Sequence, residues 1–265
     1  MTVWQSILLG CIEGFTEFLP ISSTAHLIVA QKLLGIGEAN EFFTTVVQLG
    51  AIAAVIVYFF GKIKTLFFET ITYLQNPKGK EVPTAVWLAI ATMPVLIVGF
   101  GIRNMVSSIH NSIPLISFMS ISIGLLLAYA QWHSQRKDVV HVQPSYKSFL
   151  QMGLWQIIAL LPGASRSGTV IAGGLFAGLS FQHALEYSFL LSIPALLAAG
   201  AFELLSAIQT PPDSEILLMT AIASVVAFCS ALISIRFLLT SVRNLGFMPF
   251  VLYRIVFGVA ILFLL

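Results

Sequence analysis

The sequence predicts an all-α polytopic membrane protein, an inverted-topology repeat of six transmembrane helices and two re-entrant helix-loop-helix hairpins. Three observations predict it. Of the 265 residues, 58% are hydrophobic and only 9% are charged, against roughly 25% charged in an average soluble domain. Thirteen Lys and Arg with eleven Asp and Glu cannot coat so long a chain for solution, which argues against a soluble enzyme, a nucleic-acid binder or a disordered chain. The apolar runs are long and continuous rather than ten-residue alternating segments, which selects helices over a barrel. Finally, the chain reads as a duplication. Phe18-Leu19-Pro20-Ile21-Ser22-Ser23 aligns with Leu160-Leu161-Pro162-Gly163-Ala164-Ser165 at an offset of 142, and Gln48-Leu49-Gly50-Ala51 lies opposite Ser192-Ile193-Pro194-Ala195 at 144.

Taken in order, residues 1–35 hold two short apolar runs broken at Leu19-Pro20-Ile21-Ser22-Ser23. Each run is too short to cross easily, and a polar, Pro-broken backbone is tolerated at membrane depth only inside protein or beside a water-filled cavity. A re-entrant hairpin follows. Spans at about 43–60, 84–102 and 113–132 complete a first repeat, 1–132. Residues 133–148 form a linker. The second repeat, 149–265, opens with another hairpin at 149–180, broken at Leu161-Pro162-Gly163-Ala164-Ser165-Arg166-Ser167-Gly168, and continues with spans at about 185–208, 216–240 and 249–265. Each span supplies roughly the 17–25 residues a crossing needs. Three spans per repeat is odd, so the second half enters from the opposite face.

Loop charge sets the orientation. Lys62, Lys64, Lys78, Lys80, Arg136, Lys137, Lys147 and Arg243 fall on one side, and Lys32 and Arg103 on the other. This places the first side in the cytoplasm, both termini outside, and the hairpin tips together near the midplane. The opening MTVWQS lacks a basic n-region, so no cleaved signal peptide is expected. Cys11 and Cys229 lie in apolar stretches and read as buried free thiols.

The polar residues at depth carry the chemistry. Glu13 and Glu17 are four apart and share a helix face. Carboxylates are costly in a membrane, so they should face a cavity, where they could hold a hard divalent cation or one could act as general base. Ser22, Ser23 and Thr24 follow Pro20 and suit an N-cap. His26 can share a face with Ser22 or Ser23, the usual setting of an activated hydroxyl. At the second tip Ser165-Arg166-Ser167 combines a planar guanidinium with hydroxyls and a helix start, all suited to phosphate oxygens. Glu186, Glu203 and Gln48 lie in or near spans. Arg236, Arg243 and Arg254 read as inner-face or helix-pairing residues, and His110, His133, His141 and His183 as solvated loop or span-end residues.

Glu13-Gly14-Phe15-Thr16-Glu17-Phe18-Leu19-Pro20-Ile21-Ser22-Ser23-Thr24 and Pro162-Gly163-Ala164-Ser165-Arg166-Ser167-Gly168 resemble the two signatures of the bacterial undecaprenyl-diphosphatase family, also called bacitracin-resistance proteins. The similarity extends through Phe43–Gly50 and Glu186–Pro194. It implies a cytoplasmic-membrane enzyme that removes the terminal phosphate of undecaprenyl diphosphate, recycling the lipid carrier of cell-wall precursors, with dependence on a divalent cation (Mg2+ or Ca2+). The family's glutamates fall on Glu13 and Glu17, its serine on Ser23, its histidine on His26 and its Ser-Arg pair on Ser165 and Arg166. The family's closing Thr comes one place after Thr169, and Ala25 stands where a Gly is usual.

The combined reading makes Ser23, His26, Glu17, Glu13 and Arg166 catalytic. Arg166, Ser165, Ser167, Ser22 and Thr24 bind phosphate, and Glu13 and Glu17 hold the metal. Ser23 is the expected nucleophile, with His26 or an activated water as alternatives. The expected partners are a polyprenyl diphosphate and the bilayer, with no nucleic acid; the oligomeric state stays open, a homodimer among the options. The site should open to the outer side. A polyprenyl-phosphate flippase or transporter using the same midplane phosphate site is the rival reading, since broken helices in inverted repeats are also transporter features.

Overall fold

A computed structural model describes residues 1–36, 41–79, 81–136, 142–209 and 211–265, and among them every regular element is helical. Lys80, Lys137 and His141 lie outside the described residues. The order is α1 (Val3–Thr16), α2 (Ser23–Leu33), α3 (Glu41–Tyr58), α4 (Phe60–Gln75), α5 (Thr84–Ile109), α6 (Ile113–Ser134), α7 (Tyr146–Gln156), a 3-10 turn (Ile157–Leu160), α8 (Arg166–Phe176), α9 (Phe181–Gln209), α10 (Ser214–Leu245) and α11 (Met248–Leu264). By length and composition α5, α6, α9 and α10 can each cross a membrane. The pair α3 and α4, bent by 78°, adds a fifth candidate, and α11 is a shorter apolar helix. The sequence predicts six crossings. The two that length alone does not single out are the shortest, 18 residues in α3 and 17 in α11, at the lower limit for a ~30 Å hydrocarbon core.

Both hairpins break where expected. Ser22 has φ 76° and Ser165 φ 69°, the two non-glycine residues with positive φ among those described. Each is the N-cap of the helix that follows, and its hydroxyl accepts from the backbone N–H of Ala25 or Gly168. The cap repays part of the cost of left-handed backbone. The two caps are 143 residues apart and both following helices have 11 residues. At the hairpins the two segments therefore correspond at an offset of 143, one more than the sequence alignment suggests.

The first arms of the hairpins also match. A Cβ on Gly10 of α1 would lie 2.4 Å from the Ala223 carbonyl oxygen of α10, and one on Gly153 of α7 would lie 2.0 Å from that of Ala91 in α5. Gly10 and Gly153 are again 143 apart. Each arm thus lies in backbone contact with a long helix of the other half, an approach only glycine permits. Hydroxyls fasten the α1 crossing: Ser234 donates to the Phe15 carbonyl at 2.8 Å and Ser230 to that of Gly10 at 3.4 Å.

Arg254 of α11 joins the tips. It is fully buried. Its Nε donates to Ser120 O at 3.0 Å and its Nη1 to Pro20 O at 3.2 Å, while Nη2 reaches Met119 O (3.2 Å), Gly163 O (2.8 Å) and Ala164 O (3.2 Å). The expectation of an inner-face or simple helix-pairing residue is corrected: this guanidinium binds the loops of both hairpins and α6 at once. Two further readings change, for the cysteines and for His133, and Glu186 gains a partner. Cys11 and Cys229 are unpaired, but Cys11 is half-buried and Cys229 exposed, because α10 turns Ala223, Ala227, Ser230 and Ala231 inward and leaves Cys229 on its outer face. His133 lies within α6 with its ring against Tyr129 and Phe176 rather than in solvent. Glu186 pairs with Lys62 at 2.5 Å, fastening the start of α4 to α9.

Arg254→Met should lower the stability of the folded protein by about 3 kcal/mol or more, because several buried carbonyls lose their donor together. Arg254→Lys keeps the charge but not the fork and should fall between. Thermal unfolding in detergent reads this directly; a Met variant that melts with the wild type would remove Arg254 as the joint of the tips.

Candidate active site

The two tips form one end of a cavity of about 810 Å³. Glu17, Ser22, Ser23, Thr24, Ser165 and Arg166 line that end. Apolar side chains from α5 and α9, among them Val95, Leu96, Phe100, Leu196 and Phe202, form the walls, and Arg103, Asn104, Ser107 and Glu203 also border the cavity. A compartment with polar groups at one end and hydrocarbon walls suits a molecule with an anionic head and an apolar tail.

Glu17 organises the polar end. It follows α1 directly, and its backbone N–H still bonds to Glu13 O at 2.9 Å. Its Oε2 accepts from the hydroxyl of Ser23, the first residue of α2. Its Oε1 accepts from Arg166 Nη2 at 2.7 Å. One buried carboxylate therefore holds a hydroxyl from one hairpin and a guanidinium from the other. Arg166 opens α8 as Ser23 opens α2, so the N-termini of two helices converge here with the positive ends of their dipoles. The remaining N–H groups of Arg166 are available to an anion in the cavity.

The other expected residues divide. Ser22 and Ser165 line the cavity while capping their helices. Ser165 Oγ also pairs with Ser167 Oγ at 3.1 Å, and Ser167 donates to Leu19 O at 2.9 Å, stitching one tip to the other away from the cavity. Thr169 bonds back to Ser165 O and Arg166 O within its own helix.

His26 turns away from Ser23. Its Nδ1 lies 2.7 Å from Ser22 O and its Nε2 2.6 Å from the Tyr253 hydroxyl. A carbonyl only accepts, so Nδ1 carries the proton and Nε2 accepts from Tyr253. The ring stacks on Phe257 with centroids 4.2 Å apart. Of the two neighbours that the spacing offers His26, Ser22 and Ser23, the ring bonds to the first, through its carbonyl and not a hydroxyl. Ser22 caps the helix from a left-handed conformation, and the imidazole reaches back to that residue's carbonyl instead.

Glu13 is fully buried, and neither carboxylate oxygen has a hydrogen-bond partner. Among the described residues no group of three or more His, Cys, Asp or Glu is arranged to hold a metal. Two carboxylates still match the way Mg2+ is commonly bound, through one or two carboxylates plus phosphate oxygens and water. The unpartnered Glu13 oxygens, one turn from Glu17, fit such an ion.

Three residues here went unnoticed or undervalued in the sequence: Arg254, Tyr253 and Gln156. Gln156 is 1% exposed, lines the cavity, and has no partner for either amide atom. Its signal was present. At the 143-residue offset it is the counterpart of Glu13; at 142 the counterpart is Trp155.

The chain matches the family described as bacitracin resistance protein BacA over residues 6–260. It is similar to proteins named undecaprenyl-diphosphatase. One from Myxococcus xanthus is 37% identical over 270 residues, covering 100% of this chain and 90% of its own. One from Chloroherpeton thalassium is 36% identical over 275 residues, covering 100% and 97%. One from Synechococcus elongatus is 37% identical over 269 residues, covering 99% and 93%.

Proposed function

The chain belongs to the bacitracin resistance protein BacA family, and from that membership together with its site we propose that it hydrolyses undecaprenyl diphosphate to undecaprenyl phosphate and inorganic phosphate. The observation that carries the chemistry is the Ser23 hydroxyl donating to Glu17, with Arg166 on the same carboxylate, at the end of an apolar-walled cavity.

Glu17 takes the proton of Ser23 as Oγ attacks the terminal phosphorus. The bridging P–O bond breaks, and its electron pair leaves with the lipid monophosphate. Arg166 and the free N–H groups opening α2 and α8 hold the phosphoryl oxygens as charge moves between them. Water then attacks the phosphoserine and Glu17 returns its proton to the departing Oγ. One proton of the water stays on the released phosphate and the other goes to solvent. Thr24 and Ser165 add donors, Ser22 caps α2, and His26, fixed between Ser22 O and Tyr253, positions the helix start that presents Ser23. Glu13 and Glu17 would hold a divalent cation, whose charge would offset that of the diphosphate.

The same reading includes a membrane topology. We infer six crossings, α3, α5, α6, α9, α10 and α11, with α1–α2 and α7–α8 as re-entrant hairpins of two inverted halves, 1–132 and 149–265, joined by 133–148. The matched caps, the matched arm glycines and the eight-to-two loop charge asymmetry support it. It puts the protein in the bacterial cytoplasmic membrane with the site reached from the outer side.

Purified protein in detergent should release phosphate from a long-chain polyprenyl diphosphate, which a flippase alone would not do. Ser23→Ala should lose about 10³-fold or more in turnover, roughly 4 kcal/mol of barrier, whereas Ser22→Ala should lose mainly a cap worth about 1 kcal/mol of stability. Retention of more than about a tenth of turnover by Ser23→Ala, far short of that barrier, would rule out serine attack and favour an activated water.

Chelation should abolish turnover, and Mg2+ or Ca2+ should restore it in the wild type but only weakly in Glu13→Ala. Undiminished turnover in excess chelator would leave the two glutamates with proton transfer alone.

Topology is read by single cysteines at Lys78 and Asp213, with Cys11 and Cys229 replaced. In intact cells only the Asp213 position should react with an impermeant thiol reagent. The opposite pattern would invert the orientation.

A further inference from the structure

Gln156 lines the cavity together with Glu17, Ser23 and Arg166, and its amide is buried with no hydrogen-bond partner for either Nε2 or Oε1. Leaving both ends of a buried amide unpaired costs free energy, and a leucine of similar size in its place would not. The fold makes no visible use of the group. It closes no helix end: the cap of the 3-10 turn that follows has no side-chain bond. What remains is a pre-placed donor and acceptor waiting for something that enters the cavity.

The duplication sharpens the point. Gln156 ends α7 at the position where Glu13 stands in α1, and both are buried without partners. One half thus carries a carboxylate and the other an uncharged amide. The carboxylate belongs with the cation and with Glu17. The amide adds no negative charge beside a diphosphate, and rotation about its last side-chain bond presents the N–H groups without moving the backbone.

We propose that Gln156 is a further substrate-binding residue, donating from Nε2 to a phosphate oxygen of the diphosphate. The inference rests on the phosphatase reading above, and its test separates the two. Gln156→Leu and Gln156→Glu are compared with the wild type in phosphate release. Thermal unfolding is also followed, with and without farnesyl diphosphate as a soluble probe of the head-group site. Gln156→Leu should unfold at the same temperature or higher without ligand, yet lose at least tenfold in kcat/KM and most of the stabilisation by the probe. Gln156→Glu should lose at least a further tenfold, since its carboxylate would face phosphate. Wild-type KM, kcat and probe stabilisation in Gln156→Leu, with a lowered unfolding temperature, would overturn the proposal and make the amide a seat for structural water. If the wild type releases no phosphate but the probe stabilises it and not Gln156→Leu, the phosphatase reading falls and the role of the amide stands.

Discussion

The hydrogen bonds that Arg254 donates to five backbone carbonyls hold the whole site together. An unwound chain in the middle of a membrane protein carries carbonyls that no helix satisfies, and each one left bare is costly. Here Pro20, Gly163 and Ala164 expose such carbonyls at the two tips, and one planar guanidinium collects them with Met119 and Ser120 of α6. The charge is stabilised by carbonyl dipoles rather than by an anion. The two cations thus divide the work: Arg254 fixes backbone, and Arg166 is left facing the cavity.

With the tips fixed, the site needs few further contacts. Glu17 reaches across to Arg166 and back to Ser23, and Ser167 reaches to Leu19. The close approach of the arms to α10 and α5 serves the same end. Gly10 and Gly153 bring backbone against backbone, so the arm leading to each tip is braced by a long helix. Rigid support of this kind is what a phosphoryl-transfer site requires, since most of its catalytic effect comes from positioning and charge.

Much of this was legible. Pro20 and Pro162-Gly163 mark the hairpin breaks in plain residues, and Glu17, Ser23, Arg166 and Ser165 announce themselves as polar groups at apolar depth. What escaped reading depends on three-dimensional partners. Arg254 looks like an ordinary cation near the start of the last helix, and only the fold reveals that its neighbours are carbonyls. His26 looks like a partner of the Ser22 or Ser23 hydroxyl by helical spacing, but spacing does not show that Tyr253 of α11 and the Ser22 carbonyl take both ring nitrogens. The internal similarity was visible but one residue out of register. That single slip hid the match between the caps Ser22 and Ser165 and the match between Glu13 and Gln156.

The register also explains why the two halves differ where they do. A perfectly symmetric pair of tips would present two identical groups to one ligand, and a diphosphate in the act of cleavage is not symmetric. Each helix following a cap begins with a polar residue that lines the cavity: Ser23 after Ser22, and Arg166 after Ser165. The same backbone device, a capped helix start aimed at the cavity, thus presents a hydroxyl from one half and a guanidinium from the other. Glu17 binds both, while its counterpart at the 143-residue offset is the apolar Leu160. Two matching helix starts thus carry different side chains at the same position, as the proposed division into nucleophile and phosphate holder requires.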